Sequence, residues 1–244
     1  NTIYYEENKH IKHDLSVVSG FDYLEQIDLN DKTPYIIFSG ESNQRYDVSK
    51  ICYKNNPPIC LLLTALDYIN VKEKIYHIPY GVFLDMNIND IRQEKQQERK
   101  YFLAYIASNP VYLRDSVFQI FNSVMKDCHA HGQCCNNIGK KAEGDWENLT
   151  EIYKDYTFAL VFENINNEGY ITEKIFNAYK AGCIPLYFGG GKYVKEILNA
   201  ESYINIVDFA TIEEFVIYVI NVYNNKELLN KLKGFLQVIY YIKQ

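Results

Sequence analysis

Two cations stand close to the starts of two helix-like segments. Lys174 follows Thr172-Glu173, and Arg114 follows Ser108-Asn109-Pro110 by a few residues. A cation in a first helical turn opposes the helix dipole, at a cost of about a few tenths of a kcal/mol on a bare helix. An anion held by the unpaired N–H groups of that turn reverses the sign. Two such cations at neighbouring helix starts fit a diphosphate, although Lys174 on position alone reads rather as a solvated first-turn lysine. Glu41, after Ser39-Gly40, is a third polar residue of interest. Alone it reads as an exposed loop carboxylate. Across a cleft from a diphosphate it becomes a general base, because partial burial lifts a carboxyl toward working pH. No P-loop and no Gly-x-Gly-x-x-Gly pattern competes for the phosphate, and Gly189-Gly190-Gly191 lacks the spacing and reads as a tight turn.

For these residues to act together they must leave the carboxyl ends of neighbouring parallel strands, where open α/β sheets bind ligands. Short apolar runs alternating with helix-period segments from Pro34 onward predict such a protein. Strands are expected at 34–38, 59–63, 76–78, 101–107, 158–162 and 183–188. The run 158–162 is apolar throughout, as in a strand covered on both faces. Asn109 and Pro110 suit the N-cap and N1 positions of a helix over about 111–126, with Leu113, Val117, Ile120, Phe121 and Val124 on its apolar face. Thr172 is expected to cap a helix ending near Ala181, with Gly182 as its C′ residue. The tail, 212–242, is helical by period. The polar stretch 87–100 marks a boundary, giving domains 1–96 and 97–244.

Composition excludes several classes. The chain has 244 residues, 48% of them apolar, and a net charge of −6, so it is neither disordered nor equipped with a basic surface for nucleic acid. No apolar run approaches the roughly 20 residues of a membrane span, and the chain as given reads as soluble. Its first residue is Asn1, which suggests a trimmed start. Six cysteines are too few for a disulfide scaffold at this length. The cluster Cys128-His129-x-His131-x-x-Cys134-Cys135 matches no paired zinc spacing and reads as a structural loop. No Asp-x-Asp triplet offers a metal clamp; Asp145-Trp146-Glu147 is the nearest imitation and is not expected to bind catalytic metal. Asn148-Leu149-Thr150 is a glycosylation acceptor by pattern.

Phe162-Glu163-Asn164, followed by Gly169-Tyr170-Ile171-Thr172-Glu173-Lys174-Ile175, Asn177-Ala178-Tyr179, Gly182 and Ile184-Pro185, resembles the signature of the α-1,3/α-1,4-fucosyltransferases, glycosyltransferase family 10. Ala107-Ser108-Asn109-Pro110 with Arg114, Gly40-Glu41, and His131-Gly132-x-Cys134 are similar to further motifs of that family in order and separation. The resemblance covers about residues 34–210.

It implies a GT-B architecture, with two Rossmann-like α/β domains facing across a cleft, the N-terminal one handling a glycan acceptor and the C-terminal one GDP-fucose. Glu41 would be the catalytic base, with Arg114 and Lys174 on the diphosphate. Ser108, Asn109, Asn164, Tyr170, Thr172 and Glu173 would complete the GDP-fucose site. The implied reaction is inverting transfer of L-fucose from GDP-β-L-fucose to an acceptor hydroxyl, with an α-1,3 linkage to GlcNAc or a similar sugar. No cofactor is required for the chemical step, and manganese is at most a stimulant. The resemblance leaves the cytoplasm or, behind a removed anchor, the Golgi lumen as the compartment. A transferase of another nucleotide sugar and a non-catalytic nucleotide-sugar binder are the alternatives. Phe188 before Gly189, and an N-terminal domain of only about 96 residues, depart from the family pattern and bear on acceptor choice.

Overall fold

In the computed structural model, residues 14–19, 32–42, 48, 57–66, 74–79, 81, 99–139 and 149–234 are described. The chain divides into two compact units, Asn1–Ile78 and Pro79–Gln244. The division falls earlier than the 96/97 boundary expected from the polar stretch. Gly81 already belongs to the second unit: its N–H donates to the Ile171 carbonyl at 3.1 Å. A Cβ on Gly81 would lie 2.1 Å from the Phe176 ring, so only glycine allows this approach.

The first unit holds a parallel sheet of β1 (Ser16–Ser19), β2 (Tyr35–Ser39), β3 (Cys60–Leu63) and β4 (Ile75–His77), in that order. Three of these match expectation within a residue or two. Strand β1 was not expected, because Ser16-Val17-Val18-Ser19 has only two apolar residues and Val17 is exposed, as an edge strand permits. Pro34 stands just before β2 and contributes its carbonyl, which accepts from Ser16 N–H at 2.9 Å. A proline has no N–H to give there, so the ladder loses nothing.

The second unit is built on a five-stranded parallel sheet, ordered β6-β5-β7-β8-β9, from β5 (Tyr101–Tyr105), β6 (Cys128–Ala130), β7 (Tyr156–Phe162), β8 (Ile184–Phe188) and β9 (Ile204–Asn205). All seven residues of β7 are buried, as its unbroken apolar run requires of a central strand packed on both faces. Around the sheet run α1 (Tyr112–Val124), α2 (Leu149–Tyr153), α3 (Glu173–Lys180), α4 (Val194–Ile197), α5 (Ile212–Asn224) and α6 (Lys226–Gly234). β7, α3 and β8 form the expected β-loop-α-β unit. The α/β class and the parallel sheets are as expected.

Four local expectations need correction. Helix α1 starts later than Asn109-Pro110 suggested, with Val111 as an N-cap that makes no side-chain bond. Arg114, whose guanidinium is anchored to Phe162 and Asn164, donates Nη2 back to the Asn109 carbonyl at 2.7 Å, and Pro110 lies outside the helix. The buried face of α1 is Arg114, Val117, Phe118 and Phe121, while Val124 is exposed. The cysteine–histidine cluster is not all loop, since Cys128–Ala130 pairs with β5 as edge strand β6. His129 Nδ1 and His131 Nε2 lie 2.8 and 2.7 Å from the Tyr156 hydroxyl, and the five described cysteines are free thiols. The expected tail helix is two helices broken at Asn225, whose Oδ1 accepts from Glu227 and Leu228 N–H, both at 3.1 Å. Residues 235–242 of that expectation lie outside the described residues, as do Asp145-Trp146-Glu147 and Asn148.

At the other end of α3 the sequence reading holds. Gly182 has φ +67° and donates to the Tyr179 carbonyl at 2.9 Å, and Cys183 donates to Ala178 at 2.9 Å. These two bonds make a Schellman stop. Arg99 clamps the turn, with Nη2 2.8 and 3.0 Å from the Ala181 and Gly182 carbonyls and Nη1 on the Lys154 carbonyl. Among the described residues, no helix is long and apolar enough to cross a membrane.

Candidate active site

The adjacent exits of β5 and β7 carry most of the expected residues, and one side chain ties the two exits together. Arg114, at 3% exposure, donates Nε to the Tyr105 hydroxyl at 3.1 Å and Nη2 to the Asn109 carbonyl. Its Nη1 donates to the Phe162 carbonyl at 3.1 Å and to Asn164 Oδ1 at 3.2 Å. Four of the five guanidinium N–H groups are thus committed inside the protein, and one remains. Tyr105 donates in turn to the Asp115 carboxylate, and its hydroxyl is held well above the ordinary tyrosine value by burial and that bond. Arg114 is therefore a cornerstone before it is a ligand group. Ser108, Asn109 and Asn164 are exposed around it.

The second cation has a different setting. Glu163 directly follows β7 and its apolar run 158–162 and is fully buried, although the sequence reading gave it no role. Its Oε1 accepts from Thr172 N–H at 2.7 Å, and the Thr172 hydroxyl lies 2.9 and 2.7 Å from the two carboxylate oxygens. Lys174 Nζ stands 3.0 Å from Glu163 Oε2 and donates to Thr172 Oγ1 at 2.9 Å. Burial pushes the Glu163 carboxyl up, and Lys174 opposes that rise. Thr172 occupies the N-cap position of α3, as expected, but does not cap it with its side chain. Its hydroxyl is spent on Glu163 instead. Glu173 Oε1 is 3.8 Å from Lys174 Nζ, and the Arg114 charge is felt at Lys174.

The loop between β7 and α3 is locked to the turn after β8. Asn166 Oδ1 accepts from Gly191 N–H at 2.9 Å. The Glu168 carboxylate accepts from Lys192 and Tyr193 N–H, both at 3.1 Å. Gly189 and Gly191 have φ +146° and +58°, and a Cβ on either would lie within 2.5 Å of the Glu163 or Glu168 side chain. The glycine turn expected at 189–191 is thus the floor under both carboxylates. Tyr170, at 4% exposure, is packed into this loop.

Glu41 lies in the first unit, just past the end of β2, and is half-buried. Its N–H donates to Ser39 Oγ at 3.4 Å, Ser39 Oγ donates to the Glu41 carbonyl at 3.2 Å, and Ser39 accepts from Thr64 N–H at 3.2 Å. The structure thus brings together Arg114, Asn109, Asn164, Thr172, Glu173 and Lys174 in one unit and sets Glu41 on a pinned turn of the other. The expected site residues did not include Glu163 or Glu168. A lone carboxylate closing an all-apolar strand is the sequence signal that points to Glu163; nothing local points to Glu168.

These elements belong to a known class. The model of glycosyltransferase family 10 (fucosyltransferase), C-terminal part, matches residues 94–234, and the chain belongs to that family. An α-(1,3)-fucosyltransferase of Helicobacter pylori is 30% identical over 137 residues, which cover 56% of this chain and 27% of that protein. The mouse 4-galactosyl-N-acetylglucosaminide 3-α-L-fucosyltransferase 9 is 30% identical over 155 residues, covering 62% and 41%. The chain thus matches between about a quarter and two-fifths of the length of these relatives.

Among solved structures, an α1,3-fucosyltransferase with GDP aligns over 100% of this chain and 75% of its own, with a TM-score of 0.71 at 18% identity. A DNA-modifying β-glucosyltransferase aligns over 91% of this chain and 92% of its own, with a TM-score of 0.54 at 11% identity. At these identities the likeness concerns the fold, which is of the GT-B type.

Proposed function

We propose that the protein transfers L-fucose from GDP-β-L-fucose to a glycan hydroxyl with inversion, forming an α-1,3 linkage to GlcNAc or a similar sugar. The observation that carries this reading is the pairing of Arg114 and Lys174 at adjacent strand exits in a chain of the fucosyltransferase family. The remaining N–H of Arg114 and the third N–H of Lys174 meet the diphosphate. Asn164, Ser108, Asn109, Tyr170, Thr172 and Glu173 line the nucleotide and sugar. The acceptor oxygen attacks the anomeric carbon while the bond from that carbon to the diphosphate oxygen breaks. Glu41 takes the acceptor proton, and GDP leaves toward the two cations. Charge grows on the leaving oxygen as the sugar becomes oxocarbenium-like, so fixed cations there stabilise the transition state more than the ground state. No metal or other cofactor is needed for this step, and EDTA should leave substantial activity.

The test offers a panel of nucleotide sugars and follows donor hydrolysis, transfer and thermal stabilisation. GDP-fucose should give the largest response. General-base catalysis is worth about 10²–10⁴ in rate, so Glu41→Gln should lose that much kcat while GDP affinity stays within about threefold. Near-normal turnover in Glu41→Gln, or a β-linked product by NMR, would show that the base lies elsewhere.

A further inference from the structure

The buried carboxylate of Glu163 takes part in no step of this reaction, yet it has more partners than any other acid in the second unit's site. Lys174 has three N–H groups. One faces Glu163 Oε2 at 3.0 Å and one faces Thr172 Oγ1 at 2.9 Å, so the ammonium is held at two points. The Glu163 carboxylate is itself fixed by the Thr172 N–H and hydroxyl, and by Gly189, whose missing side chain leaves room for its Cγ. The competing anion is Glu173, next to Lys174 in the chain and on the first turn of the same helix, with Oε1 3.8 Å from Nζ, beyond hydrogen-bond length. Closing that gap takes less than an ångström of side-chain movement. A contact between the two would consume both the cation and the carboxylate that the substrate needs.

We propose that Glu163 is a positioning residue, which holds the Lys174 ammonium off Glu173 so that cation and carboxylate meet the donor as separate groups. This role rests on the reading of Lys174 as a diphosphate ligand. The carboxylate works because it is buried. Water cannot reach it to compete for the ammonium, whereas the partly exposed Glu173 offers a weaker, solvated alternative. Thr172 completes the device: its hydroxyl accepts from Lys174 and donates to Glu163, so all three side chains share one geometry.

The experiment measures GDP affinity by calorimetry in wild type, Glu163→Gln, Glu173→Gln and the double variant, with thermal unfolding of each as a control. Glu163→Gln should weaken GDP about tenfold, through loss of one charge-assisted contact. Glu173→Gln alone should change it only a few-fold, because GDP carries no fucose for that carboxylate to hold. The double variant should recover most of the loss, because the diverting anion is gone; a merely structural defect at Glu163 would not be rescued in this way. Thr172→Val removes the second tether and should follow the same pattern, which keeps the test open if Glu163→Gln does not fold. Wild-type affinity in a folded Glu163→Gln, or a double variant no better than Glu163→Gln, would overturn the role. Failure of the wild-type protein to bind GDP would instead overturn the donor reading on which the role depends.

Discussion

The Arg114 corner and the Lys174 corner sit at neighbouring strand exits and both present a cation, but they are built on opposite principles. Arg114 is held by neutral acceptors: two carbonyls, an amide oxygen and a hydroxyl. Its charge is therefore not cancelled by its holders, but nearly all of its hydrogen bonds are used. Lys174 is held by a buried carboxylate and a hydroxyl, so its charge is partly cancelled while one N–H and about a quarter of its side-chain surface stay available. A planar guanidinium with five donors can join two loops and still offer an edge, whereas an ammonium is a point charge that needs a counter-charge to stay put. One corner is organised chiefly as architecture, whereas the other leaves more of its cation open.

The sharpest way to break this contrast is Arg114→Ala. It leaves the buried Phe162 carbonyl and Tyr105 hydroxyl without this donor, at about 1–3 kcal/mol for each, and hands the exposed Asn109 carbonyl to water. With roughly 2–4 °C per kcal/mol at this chain length, the melting temperature should fall by at least about 4 °C. An unchanged melting curve would remove Arg114 from its architectural role.

Lys174→Ala should act mainly on the ligand, weakening GDP by about tenfold or more in calorimetry. Its stability cost should depend on pH. Burial already lifts the Glu163 carboxyl above the ordinary value of 4.5, and removing Lys174 lets it rise further. With a raised carboxyl the folded state binds more protons than the unfolded state, so stability grows as pH falls toward the ordinary value. The melting-temperature gap between Lys174→Ala and wild type should therefore narrow from about pH 8 to about pH 5. A constant gap would mean that Glu163 does not carry the charge.

Gly189→Ala sharpens the comparison at smaller amplitude. The new Cβ falls 2.4 Å from Glu163 Cγ at φ +146°, so it should disturb the Lys174 corner and spare the Arg114 corner. Backbone strain of this kind costs about 1–3 kcal/mol. Gly139→Ala, at φ +76° with no neighbour within 4 Å, is the control for strain alone. GDP affinity should drop several-fold in the first and stay unchanged in the second, by calorimetry.

The smallest effect concerns the thiols. Burial pushes Cys128 and Cys183 up to about 12, whereas Cys134 and Cys135, near Asp115 and Arg114, are raised less and are partly exposed. Because the thiolate is the reactive form, iodoacetamide at about pH 8 should label Cys134 and Cys135 before Cys128 and Cys183, as read by mass spectrometry. Early labelling of Cys183 would mean that the sheet beneath α3 opens more readily than the loop beside Arg114.

Much of the fold was legible because its signals are local. The all-apolar 158–162 run, the Thr172 start and Gly182 stop of α3, and the alternation of runs with helical segments each follow from neighbours in sequence. Expectation failed where partners are remote. Strands β1, β6 and β9 are too short and too polar to announce themselves, and only pairing with a longer neighbour makes them strands. Asn109-Pro110 is a sound helix start by local rules, but the guanidinium that takes the Asn109 carbonyl is itself set by the remote Phe162 and Asn164.

The site divides in the same way. The sequence by itself singled out candidate side chains: Glu41, Arg114 and Lys174 by type and by position at strand exits, and Glu173 by motif. Only the tertiary structure decided what holds them. That Arg114 spends four donors on the protein, that Thr172 faces Glu163 instead of capping α3, and that Gly189 and Gly191 form the floor under Glu163 and Glu168 are outcomes of packing between segments up to about fifty residues apart. A residue's type fixes its charge and its donors. Which acceptors are close enough to use them is fixed by the burial and register of strands elsewhere in the sheet, and no local pattern encodes that.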